Sequence, residues 1–128
     1  MEGIVGIASQ IFGRRSEAKA ARHLEGLGYR ILAKNVRTPL GEIDLIAQHD
    51  GEVVFVEVKA RRSLLFGHPE EAVGYRKQVA LSRAALFWLK GEASLNTPAR
   101  FDVVAIVSTG KNQEIEVIQN AFPLAGSR

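Results

Sequence analysis

Cysteine is absent from all 128 residues. That excludes disulfides, thiolate zinc sites and a cysteine nucleophile, and it suits a reducing compartment. No apolar run approaches the length of a membrane span. There are no repeats and no low-complexity tracts. The glycines form neither G-x-x-x-x-G-K-[ST] nor G-x-G-x-x-G, so no phosphate-cradling loop is present. The opening "MEGIVGIASQIFGRR" has an apolar patch, but Glu2 precedes it and Arg14 and Arg15 follow, the wrong charge order for a secretory signal. The expectation is a cytoplasmic protein with a floppy lead over residues 1–12, a single domain over 13–120 and a tail over 121–128. The length is enough for one core and too short for two ordinary ones.

What is there is a globular composition, 46% hydrophobic, with a net charge of +3. The charge is spread in clusters: Arg14, Arg15, Lys19 and Arg22 early, Arg61 and Arg62 in the middle, then Arg76, Lys77 and Arg83. Such groups can track a polyanion backbone or simply form a solvated surface. Turn and periodicity signals predict a helix over Arg14–Leu27 ended by Gly28, and strands over Tyr29–Val36, Glu42–Gln48 and Val53–Ala60. A second helix is expected from Pro69 to about Lys90, with Glu70 and Glu71 complementing its dipole. Strands over Phe101–Val107 and Glu114–Ile118 follow. The order α-β-β-β-α-β-β gives an α/β domain with a central mixed β-sheet flanked by helices.

The informative stretch is "GEIDLIAQHDGEVVFVEVKARR", Gly41 to Arg62. Asp50-Gly51 signals a tight hairpin. The pairing then runs His49 to Glu52, Gln48 to Val53, Ala47 to Val54, Ile46 to Phe55, Leu45 to Val56 and Asp44 to Glu57. Two carboxylates would face each other with Cβ atoms roughly 4.5–5.5 Å apart. Period two puts Glu57 and Lys59 on the face of Phe55 and Val53. Like charges at such a place need a cation, either Lys59 or a divalent metal such as Mg²⁺ or Mn²⁺. The alternative is a Glu57–Lys59 ion pair at the sheet's end with Asp44 capping a turn. Glu17 precedes Ala20 by three and Ala21 by four, on the stripe that continues through Leu24 and Leu27. It either leans towards the two carboxylates or only favours the helix N-terminus.

Asp followed by Glu-x-Lys on adjacent strands, here Ile43-Asp44 and Glu57-Val58-Lys59 with Glu17 on the preceding helix, resembles the PD-(D/E)xK nuclease site, with Ile43 in the proline position. The stretch from "GRRSEAKAARHLEGLGYRILAKNVRTPLGEIDLIAQHD" through "GEVVFVEVKARRSLLFGHPEEAV", together with "RFDVVAIV", resembles the YraN-like family of small bacterial proteins over nearly all of Gly13 to Val107. The resemblance implies a restriction-endonuclease-like fold similar to archaeal Holliday-junction resolvases. It implies that Asp44 and Glu57 hold Mg²⁺ or Mn²⁺, with the Val58 carbonyl and Glu17 completing the set. Lys59 would orient and help deprotonate the attacking water, or stabilise charge on the phosphorane. The products would be a 5′-phosphate and a 3′-hydroxyl. The implied substrate is DNA, branched DNA and junctions included, and a homodimer is compatible with cutting two strands.

Arg14, Arg15, Arg61, Arg62 and Lys77 are the candidate nucleic-acid contacts. His23, His49 and His68 lack the spacing of a ligand pair. Arg100 and Asp102 read as a structural contact, and Trp88 as core. Leu64, Leu65 and Phe66 read as tucked against the second helix, or as a dimer contact or a DNA wedge. Three functions stay open on the residues: a metal-dependent endonuclease, a nucleic-acid-binding module of the same fold without cleavage, and a structural interaction protein with an ion-pair network.

Overall fold

Gly28 ends the first helix as its sequence position requires. In the computed structural model, which describes residues 15–61 and 73–126, helix α1 spans residues 15–26. Gly28 takes a φ of 94°. Its N–H donates to Glu25 O at 3.1 Å and the Tyr29 N–H donates to Leu24 O at 3.0 Å. These two bonds make a Schellman motif, which satisfies carbonyls that the helix itself leaves unpaired. Leu27 falls past the last helical turn and is 53% exposed. The buried stripe of α1 is therefore Ala20, Ala21 and Leu24, without the expected Leu27.

Five strands follow: β1 Arg30–Thr38, β2 Gly41–His49, β3 Glu52–Arg61, β4 Ala99–Thr109 and β5 Asn112–Phe122. They lie in the sheet in sequence order. All neighbours are antiparallel except β3 and β4, which are parallel. A parallel pair needs a crossover, and helix α2, Tyr75–Glu92, lies within it. The result is the α/β domain with a mixed, helix-flanked sheet and the order α-β-β-β-α-β-β that the sequence predicts. The strands run longer than expected at most ends, and β5 reaches Phe122, whose ring stacks on Phe101 at 4.9 Å.

Asp50 and Gly51 both have positive φ, 51° and 78°. A type I′ hairpin needs that of its two central residues. The expected register holds from His49↔Glu52 to Leu45↔Val56. Val53, Val54, Phe55 and Val56 are all buried, because the two faces of β3 support separate cores. Val53, Phe55, Phe101 and Val103 pack under Leu81, Ala84, Ala85 and Leu89 of α2. Val54, Val56, Val104 and Ile106 pack under Ala20, Ala21 and Leu24 of α1. Burying the valine, leucine, isoleucine and phenylalanine side chains among these stabilises by roughly 1.5–3 kcal/mol each. Trp88 belongs to the first core, edge-on to Phe55 at 5.9 Å.

Helix α2 begins at Tyr75 rather than near Pro69. Gly74 precedes it in extended conformation, with φ −69° and ψ 168°. A glycine has little helix propensity and no side chain to cap with, so the helix starts after it. Its first turn carries no acid. Pro69, Glu70, Glu71, Leu64, Leu65, Phe66 and His68 lie outside the described residues, as does the expected lead over residues 1–12.

Candidate metal and nuclease centre

The β2–β3 ladder stops one pair short of the two carboxylates. Asp44 and Glu57 do not form the expected cross-strand pair. The Asp44 carboxylate instead accepts a hydrogen bond from the Val58 N–H at Oδ2, 2.8 Å away. Facing carboxylates repel, and a short aspartate can satisfy a backbone donor itself, so the strands part here. On the other edge of β2, Lys34↔Leu45 and Val36↔Ile43 pair while the intervening Asn35 takes a φ of 51°. Asparagine tolerates that left-handed conformation better than most residues.

Groups from both faces of the sheet influence one another here. Glu57 shares the α2 face with Phe55, and the Nζ of Lys77 on α2 lies 3.8 Å from its Oε1. Lys59 Nζ lies 3.7 Å from the same oxygen. Glu17 comes from α1, on the other face. Its Oε2 is buried with no hydrogen-bond partner. Burial first, then the Asp44 charge and a hydrogen bond with Asp44, pushes the Glu17 carboxyl up to about 7. Asn35 opposes this by hydrogen bonding, and Glu57 adds the smallest push. Glu57 is only 6% exposed. Burial first and then Asp44 push it up to about 7 as well, against the lowering effect of Lys77 and Lys59. Glu17 and Glu57 thus each carry the cost of burial and of the Asp44 charge, which at Glu57 the two lysines only partly offset.

Among the described residues, no group of three His, Cys, Asp or Glu side chains already stands close enough to hold a metal ion. The chemistry of the donors fits one nevertheless. All are hard oxygens, suited to Mg²⁺ or Mn²⁺, and the Glu17 oxygen is buried with nothing to bind. Glu17 and Glu57 each feel the Asp44 charge, and Lys59 stands beside Glu57. Sequence reasoning misses Asn35 and the Lys77–Glu57 contact. An Asn inside a strand, where it is disfavoured, is the available signal for the first.

Arg15 lies elsewhere. With Lys19 and Arg22 it lines a cleft of about 440 Å³ between α1 and the ends of β4 and β5, where Ser108 and Gln113 add polar groups. Arg14 and Arg62 are outside the described residues, and of Arg61 only the backbone, in β3, is described.

A separate polar cluster is structural. Asp102 is fully buried. It accepts from Arg100 Nε at 2.9 Å, from the Tyr29 hydroxyl at 2.7 Å and from the Asn120 N–H at 2.9 Å. His49 stacks on Tyr29 at 3.9 Å, and its Nδ1 lies 2.8 Å from Arg100 Nη2. Burial works against the Arg100 charge, but hydrogen bonds to Asp102, Glu52 and Tyr29 outweigh it and hold its pKa above the usual arginine value. The expected Arg100–Asp102 contact is thus the centre of a larger network. Tyr29→Phe removes a hydroxyl that also accepts from Arg100 and Gln119. We expect it to cost about 1.5–3 kcal/mol in a urea titration, as for hydrogen bonds to charged groups. A loss below about 0.5 kcal/mol would mean that the cluster is loosely held.

A small α/β domain with an Asp and a Glu-x-Lys at a sheet gap has clear relatives. The model of the uncharacterised protein family UPF0102 matches residues 16–106, more than half of the chain. A UPF0102 protein of Syntrophus aciditrophicus is 47% identical over 116 residues, covering 91% of each chain. One of Caldicellulosiruptor saccharolyticus is 45% identical over 112 residues, covering 86% of this chain and 95% of its own. One of Trichlorobacter lovleyi is 44% identical over 124 residues, covering 95% and 98%. The chain belongs to the UPF0102 family, the YraN-like proteins. Among the described residues, no helix is long and apolar enough to cross a membrane.

Proposed function

We propose that this protein is a Mg²⁺- or Mn²⁺-dependent endonuclease that hydrolyses DNA phosphodiesters, with Asp44, Glu57, Glu17 and Lys59 at its centre. What supports the reading is a buried, unpartnered oxygen on Glu17, together with the influence of the Asp44 charge on both Glu17 and Glu57 where the β2–β3 ladder ends. A pure binder of phosphate has no use for such a group, which repels its ligand. An ion-pair network would leave no acceptor orphaned.

Asp44, Glu57 and Glu17, with the Val58 carbonyl, would hold the metal. The bound ion would neutralise the scissile phosphate and lower the pKa of a water. Asp44 is held in place by its bond to the Val58 N–H, so one carboxylate is positioned before any ligand arrives. Lys59 is partly shielded and stands beside Glu57, where its ammonium can orient water or meet negative charge growing on the phosphate. Lys77 supplies a second positive charge at the rim. The basic cleft of Arg15, Lys19 and Arg22 would hold backbone away from the reacting bond.

The test is a panel of single-stranded, duplex, flap and four-way-junction DNA with Mg²⁺ or Mn²⁺. At least one substrate should be cut, and EDTA should stop it. Tight binding without cutting anywhere in the panel selects a binding module of the same fold. Neither binding nor cutting selects an interaction protein.

A further inference from the structure

A second cleft, of about 400 Å³, lies where α2 passes the turn between β1 and β2. Leu40, Tyr75, Arg76, Val79, Ala80 and Arg83 line it. Its walls are firm. Thr38 Oγ1 donates to Gly41 O at 2.8 Å and accepts from the Leu40 N–H at 3.1 Å, which fixes the turn. The turn sits so close to α2 that a Cβ on Gly41 would come within 3.2 Å of Ala80 O. Tyr75 is 66% exposed and Leu40 51% exposed, so a ring and an aliphatic side chain stand in water beside two guanidiniums. Among the described residues, neither Arg76 nor Arg83 has a carboxylate within ion-pair distance. They are seven positions apart, about 10 Å along a helix.

We propose that this cleft binds an unpaired stretch of DNA, with a base stacked on Tyr75 beside Leu40 and neighbouring phosphates on Arg76 and Arg83. A flat π-face with phosphates beside it is what an exposed aromatic ring next to guanidiniums recognises. An acidic peptide would satisfy the arginines but give Tyr75 no planar partner. The cleft and Lys77, which reaches Glu57, belong to the same end of α2 but to different sides of the helix. The inference rests on the nuclease reading and names a feature of its substrate: single-stranded character next to the bond that is cut.

Fluorescence anisotropy in EDTA tests it without relying on cleavage. The probes are a labelled single-stranded oligonucleotide and a blunt duplex of the same length. Tyr75→Ala should weaken single-strand binding about tenfold, the scale of losing one base–aromatic stack, and leave the duplex unchanged. Tyr75→Phe should bind like wild type. Arg76→Ala and Arg83→Ala should each reduce the salt dependence of single-strand binding by about one phosphate contact. Thermal melts of the variants should match wild type, since the side chains are exposed. Equal losses on both probes, no loss from Tyr75→Ala, or a wild type that binds no single strand, as a protein occupant would give, overturns the proposal. If wild type cuts DNA while Tyr75→Ala binds single strands normally, the cleft assignment fails and the nuclease reading stands. If wild type cuts nothing in the panel while Tyr75→Ala selectively loses single strands, the cleft assignment stands and the nuclease reading fails.

Discussion

Lys59→Ala should cut DNA roughly 10²–10³-fold more slowly than wild type, the usual cost of deleting one group that meets transition-state charge. Its DNA affinity should change little, because one charge that is already paired with Glu57 contributes little to holding substrate. Asp44→Asn and Glu57→Gln should lose at least as much cleavage. The amides are chosen for shape: in Asp44→Asn the side chain keeps an oxygen that can accept the Val58 N–H, so the local backbone survives. The two amide variants should also bind DNA more tightly than wild type in EDTA, since each removes a charge that repels phosphate. Lys59→Ala should not share that gain. Loss of rate together with unchanged or improved binding separates chemistry from positioning, and from misfolding, which would weaken both. If wild type cuts and all three variants cut equally well, the carboxylates are only an ion-pair network with Lys59 as counter-charge.

The centre is legible in the sequence where local chemistry dictates it. Asp50-Gly51 sets the hairpin, the hairpin sets the register, and the register puts Glu57 and Lys59 on the face of Phe55. Glu17 is legible from its spacing to Ala20 and Ala21, which face the core. The sequence misleads at the next step. Strict continuation of the ladder pairs Asp44 with Glu57, whereas repulsion and the bond from the Val58 N–H to the Asp44 carboxylate end the ladder at Leu45 and Val56. Lys77 cannot be linked to Glu57 from the sequence, because that contact depends on how the β3–β4 crossover lays α2 on the sheet. The same is true of the cleft at Tyr75, which needs the β1–β2 turn and α2 side by side. The start of α2 is misplaced by the sequence pattern because Pro69 and the two glutamates look like a helix entry, while Gly74 in extended conformation decides where the helix begins. Asn35 belongs to the same group of misses: its role follows from a left-handed backbone inside a strand, which a sequence pattern does not display.

Glu17→Gln should make the metal-free protein more stable at pH 8, and this follows from the direction of the pKa shifts. Glu17 and Glu57 have an ordinary carboxyl value of 4.5 and are each pushed up to about 7 in the folded chain. Between those limits the folded state holds protons that the unfolded state has released. Stability therefore falls as pH rises from about 4.5 to 7, and the penalty is complete above that range. A single unscreened shift of this size would correspond to about 3 kcal/mol. Glu17 is partly solvated and its shift depends on Asp44, so roughly 1–2 kcal/mol is the expected gain on replacing it by a neutral amide. At pH 4.5 the two proteins should be nearly equal. Divalent metal should reverse the order. Millimolar Mn²⁺ should raise the melting temperature of wild type at pH 8, because a ligand that binds only the folded chain stabilises it by mass action. The rise should be smaller in Glu17→Gln, which offers one fewer anionic oxygen, and metal binding to wild type near pH 7 should release protons. Melts in EDTA and in Mn²⁺ across pH 4.5 to 8 measure all of this. A Glu17→Gln chain that is less stable than wild type at pH 8 in EDTA, or that gains as much from Mn²⁺, would show that the buried oxygen of Glu17 is not strained in wait for a cation.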